Sequence, residues 1–530
     1  MFLEYKNLFL IYSIGLSSII FFSAFTYFLS NKFSLEVNKK NSYFILFFSV
    51  LFYTSSILYL SFGKINALHH YVDFATILEI LWRNSQGFGL TTLMSEEHHE
   101  SSHWFSAHFT PIIYLTYIPF FTILPKPYVL PLAETIFILS ALIPLWLISK
   151  KFLDNNLSRV LICSFLFYPT IFYTNLYGPA FIELCLPLFL WLFYFFEEKK
   201  NKLFILTLFL CLMIREEVSL VTCFFGIFMC IRRSYFLGLF TIILSLIYFY
   251  VALYIIMPSF KAEDFEKVHV ASRWFNEWGN SLSEMILNIL LNPIDTLKKL
   301  LTPAKIGNFV LFLIPLLFTP FLNIMIFLIA LPNLAISFLS YSISHSSFIL
   351  YYLSPSIAVF YYASINGISK IKNFKLININ SLINAILVAS ITSTIFFGAT
   401  PISIAFWNKN YYVGNFYTTN FHRSAYIEEE RDIVAKKIIN KIPKNAIVSA
   451  ELHFLPLLYN RKKMIIFPSD DKNIDYVIID RLNPKKTGGG KYYLSFRLDP
   501  ESYYQKYLNN SKWSTIFEDK GITLLKKNNL

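Results

Sequence analysis

Of the 530 residues, 55% are hydrophobic, 19% aromatic and only 15% charged, a composition that belongs to a multispanning membrane protein and excludes an ordinary soluble enzyme. The formal charge of +13 is spread through short loops between apolar runs, where it sets membrane orientation, so no nucleic-acid site is read from it. Cys163, Cys185, Cys211, Cys223 and Cys230 all lie inside apolar runs without metal-like spacing, which reads as buried thiols and not as a disulfide framework.

The chain opens with MFLEYKNLFLIYS, which has no basic lead and no small-residue cleavage site, so the first apolar run is expected to be a retained helix. Runs suited to spanning lie near 7–29, 42–62, 128–149, 159–175, 181–196, 203–214, 218–231, 235–257, 308–319, 321–340, 348–367 and 380–398. A shorter run, 109–124, is fenced by Pro111, Pro119, Pro125 and Pro127. If it stays on one surface, Lys32, Lys39 and Lys40 share a side with Lys150, Lys151, Arg159, Lys199, Lys200, Lys202, Arg232, Arg233, Lys370, Lys372 and Lys375. That side is then the cytoplasm, because Lys and Arg accumulate in short cytoplasmic loops. If the run crossed, the first basic loop would oppose all the later ones. The expectation is therefore a helical bundle of about twelve spans, a re-entrant or surface segment at 109–124, and both termini outside.

The segment 203–231 reads as a helical hairpin. As one helix it would bury Arg215, Glu216 and Glu217 at mid-membrane, at about 2.5 to 3.5 kcal/mol each on insertion scales. Both arms are short, so the tip is expected below the outer surface, in a cavity. Residues 258–307 form an outer loop in which SLSEMILNILLNP reads as a surface helix ended by Pro293. Residues 1–398 thus form the membrane domain, with outer loops at 63–127 and 258–307. From 399 to 530 the composition is that of a small α/β domain: a charged helix near 424–441, a strand at AIVSA, a helix at ELHFLPLLYN, then strands at KMIIFP and DYVIID. Thr487-Gly488-Gly489-Gly490 is a loop without the spacing of a nucleotide or phosphate cradle.

Candidate chemistry gathers in the outer loops. Asp73 starts an amphipathic helix, with Phe74, Ile77, Leu78 and Leu81 on one face, expected to lie along the membrane. Asp73 reads equally as a helix cap and as a general base or metal ligand. His98, His99 and His103, with Glu96, Glu97 and Glu100, read as a solvated loop and not as a built metal site. His108 leads into the re-entrant segment and reads as a site residue or an interfacial anchor. Glu216 and Glu217 are intramembrane acids, a functional pattern by default, with a salt-bridged hairpin cap as the plainer reading. His345, in YSISHSSFILYY, heads a helix on the same side, where Ser344 or Ser346 would serve equally as a cap.

Several stretches carry a resemblance: Tyr71-Val72-Asp73, Ile80-Leu81-Trp82-Arg83-Asn84, Gly87-Phe88-Gly89-Leu90, His108-Phe109-Thr110-Pro111-Ile112 and Arg215-Glu216-Glu217-Val218. The tail adds Ala446 to Ala450, Leu457 to Arg461, Phe467-Pro468 and Asp475 to Asp480. In order and spacing over most of the chain they resemble the domain of unknown function 2079 group of membrane proteins, placed in the clan of C-type glycosyltransferases. The family pattern has Asp before its His-Phe-Ser-Pro motif and Lys-Glu-Asp at the hairpin. Here Ala107 precedes His108, which removes an acid, and Arg215-Glu216-Glu217 keeps the charges.

The resemblance implies a membrane glycosyltransferase of the C-type fold that transfers a sugar from a polyprenyl-phosphate-linked donor to an acceptor outside the cytoplasmic (inner) membrane. Asp73 is then the base or a ligand for a divalent ion such as Mg or Mn, and Glu216 and Glu217 support it. Arg83, Arg215 and Lys64 are cations for the donor phosphate, and His108 and His345 complete the substrate site. Membrane lipid is the surrounding partner, and the 399–530 domain is extracytoplasmic. The rival reading is a transporter or flippase using the same acids, against which stand the absence of an inverted repeat and the gathering of the acids toward one side.

Overall fold

Apolar helices make up most of the first 398 residues of the computed structural model, which describes residues 2–33, 37–70, 72–92, 103–260, 274–372, 377–461, 463–469, 472–481 and 500–528. His98, His99, their neighbouring acids and the loop at 487–490 fall outside these residues. Among the described residues, six helices are long and apolar enough to cross a membrane: Tyr12–Lys32, Lys39–Asn66, Val129–Phe152, Tyr235–Ser259, Thr319–Leu339 and Ile379–Phe397. Two bent pairs raise the total to eight, Asn155–Leu166 with Pro169–Tyr177 (48°) and Pro293–Leu300 with Pro303–Leu316 (64°). This is fewer than the twelve apolar runs because several runs are short or broken. Leu317 and Phe318, for example, adopt left-handed backbone between two 3-10 turns.

Two sets of contacts sort the loops by side. Arg159 donates to Ser42 Oγ at 2.9 Å and stacks on Tyr43, while Lys151 pairs with Glu198 at 2.7 Å, so the basic loops share one end of the bundle. At the other end the Tyr128 hydroxyl donates to Asn66 Oδ1 at 2.6 Å. The end of one span thus meets the start of another, and the chain between them returns to the face it left. Within it, Pro111–Tyr114 is a 3-10 turn and Tyr117–Ile123 has 7 residues, about 10 Å at 1.5 Å per residue. The hairpin arms Asn201–Leu212 and Val218–Ile231 have 12 and 14 residues, about 18 to 21 Å against the roughly 30 Å of hydrocarbon.

The helix Val72–Ser85 departs from the surface reading. Phe74, Ala75, Ile77, Leu78, Ile80 and Leu81 are all buried by protein. Phe74 lies against Gly178, which stands at φ +107 with a Cβ position 3.1 Å from that ring, and the Leu455–Leu458 helix covers another side. A side chain at position 178 would crowd the helix that carries Asp73. Six apolar residues in an eight-residue stretch are too many for one membrane-facing stripe; they are covered from two directions.

The C-terminal part holds a five-stranded sheet in the order Lys463–Ile466, Ile447–Ala450, Tyr476–Asp480, Ile522–Lys527, Trp513–Asp519; the first three strands are parallel and the last two antiparallel. This is the mixed α/β arrangement expected, but the charged helix starts late. Arg423–Tyr426 is a 3-10 turn, and the helix runs Glu430–Ile439 from a capping box between Glu429 and Asp432. Glu451, His453 and Asp480 are buried together at the carboxyl ends of two parallel strands, with Arg431 paired to Asp480. The domain is fastened to the membrane part by Lys64, which donates to Leu176 O at 3.2 Å beneath the Phe421 ring, and by Tyr459, which donates to Pro125 O at 2.8 Å. All five cysteines are free thiols.

Candidate active site at the hairpin tip

The hairpin tip and the re-entrant segment are joined through backbone. Ile112 N–H donates to Met213 O at 3.0 Å, and Phe109 N–H donates to Glu216 Oε2 at 3.0 Å. This brings His108 onto the tip, with Nδ1 3.2 Å from Glu216 Oε1. Arg215 completes the cluster: its Nη2 lies 3.1 and 3.2 Å from the two ring nitrogens of His108, and its Nε 2.9 Å from Glu217 Oε1. Equal approach to both nitrogens sets the guanidinium against the imidazole rather than along a single lone pair.

Burial makes these charges matter. The Arg215 and Glu216 side chains are 7% and 6% exposed, whereas His108 is 29% exposed and opens the cluster to its surroundings. Burial opposes the charge on Arg215, but Glu217 and Glu216 outweigh it and hold the guanidinium's pKa above its ordinary value. Burial raises the Glu217 carboxyl, against the pull of Arg215. Residue 345 belongs to the same neighbourhood: burial, then Arg215 and His108, lower the His345 imidazole to about 4, which keeps it neutral at ordinary pH. It does not cap a helix as expected. Its Nδ1 is 2.8 Å from Ser340 Oγ, its ring packs on Tyr352 and Trp274, and the following helix begins only at Ser354.

Asp73 lies in the first turn of its helix, where the N-terminal dipole favours a carboxylate, and accepts from the Tyr177 hydroxyl at 2.7 Å. Tyr177 packs on Tyr351 with ring centroids 4.9 Å apart, and Tyr351 on Tyr352 at 4.4 Å. These three tyrosines therefore run from the acid of the first loop to His345, whose ring packs on Tyr352. They were missed in the sequence because they sit among apolar residues, although Tyr177 directly precedes a Gly-Pro break and the Tyr351-Tyr352 pair closes the stretch that carries His345.

Two expected cations lie elsewhere. Arg83 donates to Thr91 Oγ1 at 2.8 Å and lies over the Phe88 ring, tying down the turn after its own helix. Lys64 is buried in the joint described above. Among the described residues, those grouped closely enough to hold a metal ion are His108, Glu216 and Glu217, and Asp73 is not one of them. One nitrogen and two carboxylates suit Mn or Zn better than Mg, which favours an all-oxygen shell. Arg215, however, already pairs with Glu217 and lies against His108, so this arrangement does not accept an ion unless the guanidinium moves.

Two crystal structures of the oligosaccharyltransferase of Archaeoglobus fulgidus are similar to this chain. One, a complex with Zn and sulfate, shares 13% identity over 85% of this chain and 69% of its own, with a TM-score of 0.41. The other, tethered to an acceptor peptide, shares 11% over 84% and 69%, with a TM-score of 0.40. No curated protein matches the sequence. The family model for predicted membrane proteins DUF2079 matches residues 70–524, from the start of the first outer loop to the last strand of the sheet, and the chain belongs to that family.

Proposed function

We propose that the protein is a membrane glycosyltransferase that moves a sugar from a polyprenyl-phosphate carrier to an acceptor hydroxyl on the face opposite the basic loops. The observation that carries this reading is the line of ring contacts from Tyr177, which holds the carboxylate Asp73, through Tyr351 and Tyr352 to His345, at the end of an apolar bundle where Arg215 is buried in the hairpin tip. Such a transfer needs a base for the acceptor proton and a positive charge for the leaving phosphate, beside a surface that takes an isoprenoid.

In this reading the acceptor oxygen forms its bond to the anomeric carbon as Asp73 takes the hydroxyl proton. The bond from that carbon to the phosphate oxygen breaks, and the polyprenyl phosphate leaves with its electron pair beside Arg215, whose planar fork suits a phosphate. Attack opposite the leaving group inverts the anomeric centre. Glu216 fixes His108, Glu217 fixes Arg215, and neutral His345 adds a polar wall without a competing charge. No step is routed through a metal. The basic loops face the cytoplasm, the membrane is the inner one, and the 399–530 domain lies outside it.

The test is incubation of the purified chain in nanodiscs with polyprenyl-phosphate sugars and cell-envelope acceptors, followed by mass spectrometry. Release of free polyprenyl phosphate with a glycosylated product supports the reading. Movement of a solute across proteoliposomes without any covalent product overturns it.

A further inference from the structure

After the Tyr235–Ser259 span come two short helices joined at Asn292, Leu282–Leu291 and Pro293–Leu300, the second of which is the first arm of the bent pair at 293–316. Ser281 caps the first, accepting from Glu284 N–H, and Pro293 begins the second at a position that needs no backbone donor. Only Met285 and Thr296 are buried in the pair. Leu282, Ile286, Leu287, Leu290 and Leu291 are 42 to 73% exposed, and Ile294, Leu297 and Leu301 are 53 to 70% exposed. At 100° per residue the first five occupy one half of their helix, and the last three fall within about 60° of one another on theirs. Eight large apolar side chains thus stand largely exposed on the two helices.

Three observations say what covers them. The exposed apolar residues resume at Ile306, 45% exposed, in the following helix Pro303–Leu313. The 64° bend between Pro293–Leu300 and Pro303–Leu316 sets the short helix well off the axis of the helix that follows it. The polar flank is charge-balanced over 282–301, with Glu284 and Asp295 against Lys298 and Lys299, and Lys299 pairs with Asp295 at 3.3 Å and Glu277 at 3.4 Å and lies over the Trp278 ring, leaving no excess charge to seek an acidic protein surface. The other side of the pair is tied to protein, since Trp278 Nε1 donates to Leu339 O and Asn288 Nδ2 to Trp278 O.

We propose that residues 282–301 form an interfacial anchor whose apolar face is buried in the acyl boundary of the leaflet on the side of the site. The occupant is the bilayer itself. Because the segment is charge-balanced, insertion is driven by apolar area and does not require anionic lipid. The anchor also fixes the height of the site: Trp274 O accepts from Tyr341 N–H, and the Trp274 ring packs on His345, so the stem of the anchored pair forms part of the His345 wall. The inference holds whatever reaction the site performs.

The experiment is nitroxide labelling of Leu290→Cys and Ile294→Cys in the full chain, reconstituted into phosphatidylcholine vesicles, with Asp295→Cys as the polar-flank comparison and unsubstituted protein as background. The labels replace exposed side chains and leave the packed side intact. Labels at 290 and 294 are expected to collide several-fold more with oxygen than with an aqueous nickel chelate, with the ratio reversed at 295 and unchanged when anionic lipid is added. Preferential collision with the aqueous reagent at 290 and 294 overturns the proposal. So does dipolar broadening between labels on two copies, which would make the occupant a second molecule, or insertion that appears only with anionic lipid.

Discussion

Arg215 Nε lies 2.9 Å from Glu217 Oε1, an ion pair closed within the tip of a hairpin too short to reach open water. The same guanidinium faces His108, whose Nδ1 also lies 3.2 Å from Glu216 Oε1. One cation therefore stabilises two buried acids, and removing it does more than remove a contact.

Arg215→Ala is expected to destabilise the protein by about 3 to 5 kcal/mol, the usual cost of leaving buried charge uncompensated. Thermal denaturation in detergent measures it. Arg215→Ala combined with Glu217→Gln should recover much of the loss, and failure of the second change to help would show that Arg215 supports the fold through packing instead.

Tyr177→Phe removes the hydroxyl that donates to Asp73 and leaves the ring stack with Tyr351 in place. A hydrogen bond to a charged group contributes about 1.5 to 3 kcal/mol to stability, so thermal stability should fall by up to that amount, and glycosyl transfer should slow as Asp73 loses its fixed position. Initial rates at saturating donor check this.

Burial raises the Glu451 carboxyl to about 8, with Arg431 opposing. A raised acid holds its proton longer in the folded state, so its stabilising contribution is complete below the ordinary value of 4.5 and is lost as pH rises through 8. Protection of the 447–480 strands in hydrogen exchange, corrected for intrinsic rates, should fall across that window by as much as about 1.4 kcal/mol per pH unit. Glu451→Gln should flatten the dependence.

Gly63→Ala would put a Cβ 2.8 Å from the backbone oxygen of Tyr426, an atom that cannot swing aside. An overpacking cost of about 1 to 3 kcal/mol is expected at the joint between the membrane part and the C-terminal domain. Faster limited proteolysis within residues 401–430 would report it.

The hairpin and the one-sided placement of its acids were legible in the sequence because hydropathy and basic-loop bias are strong in membranes, and Arg215, Glu216 and Glu217 interrupt an apolar run. His108 was legible through its Pro-fenced neighbour. The tyrosine wall was not, since Tyr177, Tyr351 and Tyr352 are three among 34 tyrosines and hydropathy does not separate a lining ring from a packed one. The same blindness placed the Val72–Ser85 helix on the membrane: an amphipathic pattern states that a face is covered, not by what. Arg83 and Lys64 show the related limit for charge, as each is absorbed locally, by Thr91 and by Leu176.

The most direct measurement of the central claim is the transfer rate of Asp73→Asn in nanodiscs, with polyprenyl phosphate binding measured on the same sample. If Asp73 is the base and Arg215 the phosphate partner, the variant should bind the carrier like the wild type and lose at least about 100-fold in transfer, the low end of what a positioned base contributes. Wild-type transfer by a folded, carrier-binding Asp73→Asn protein would contradict it.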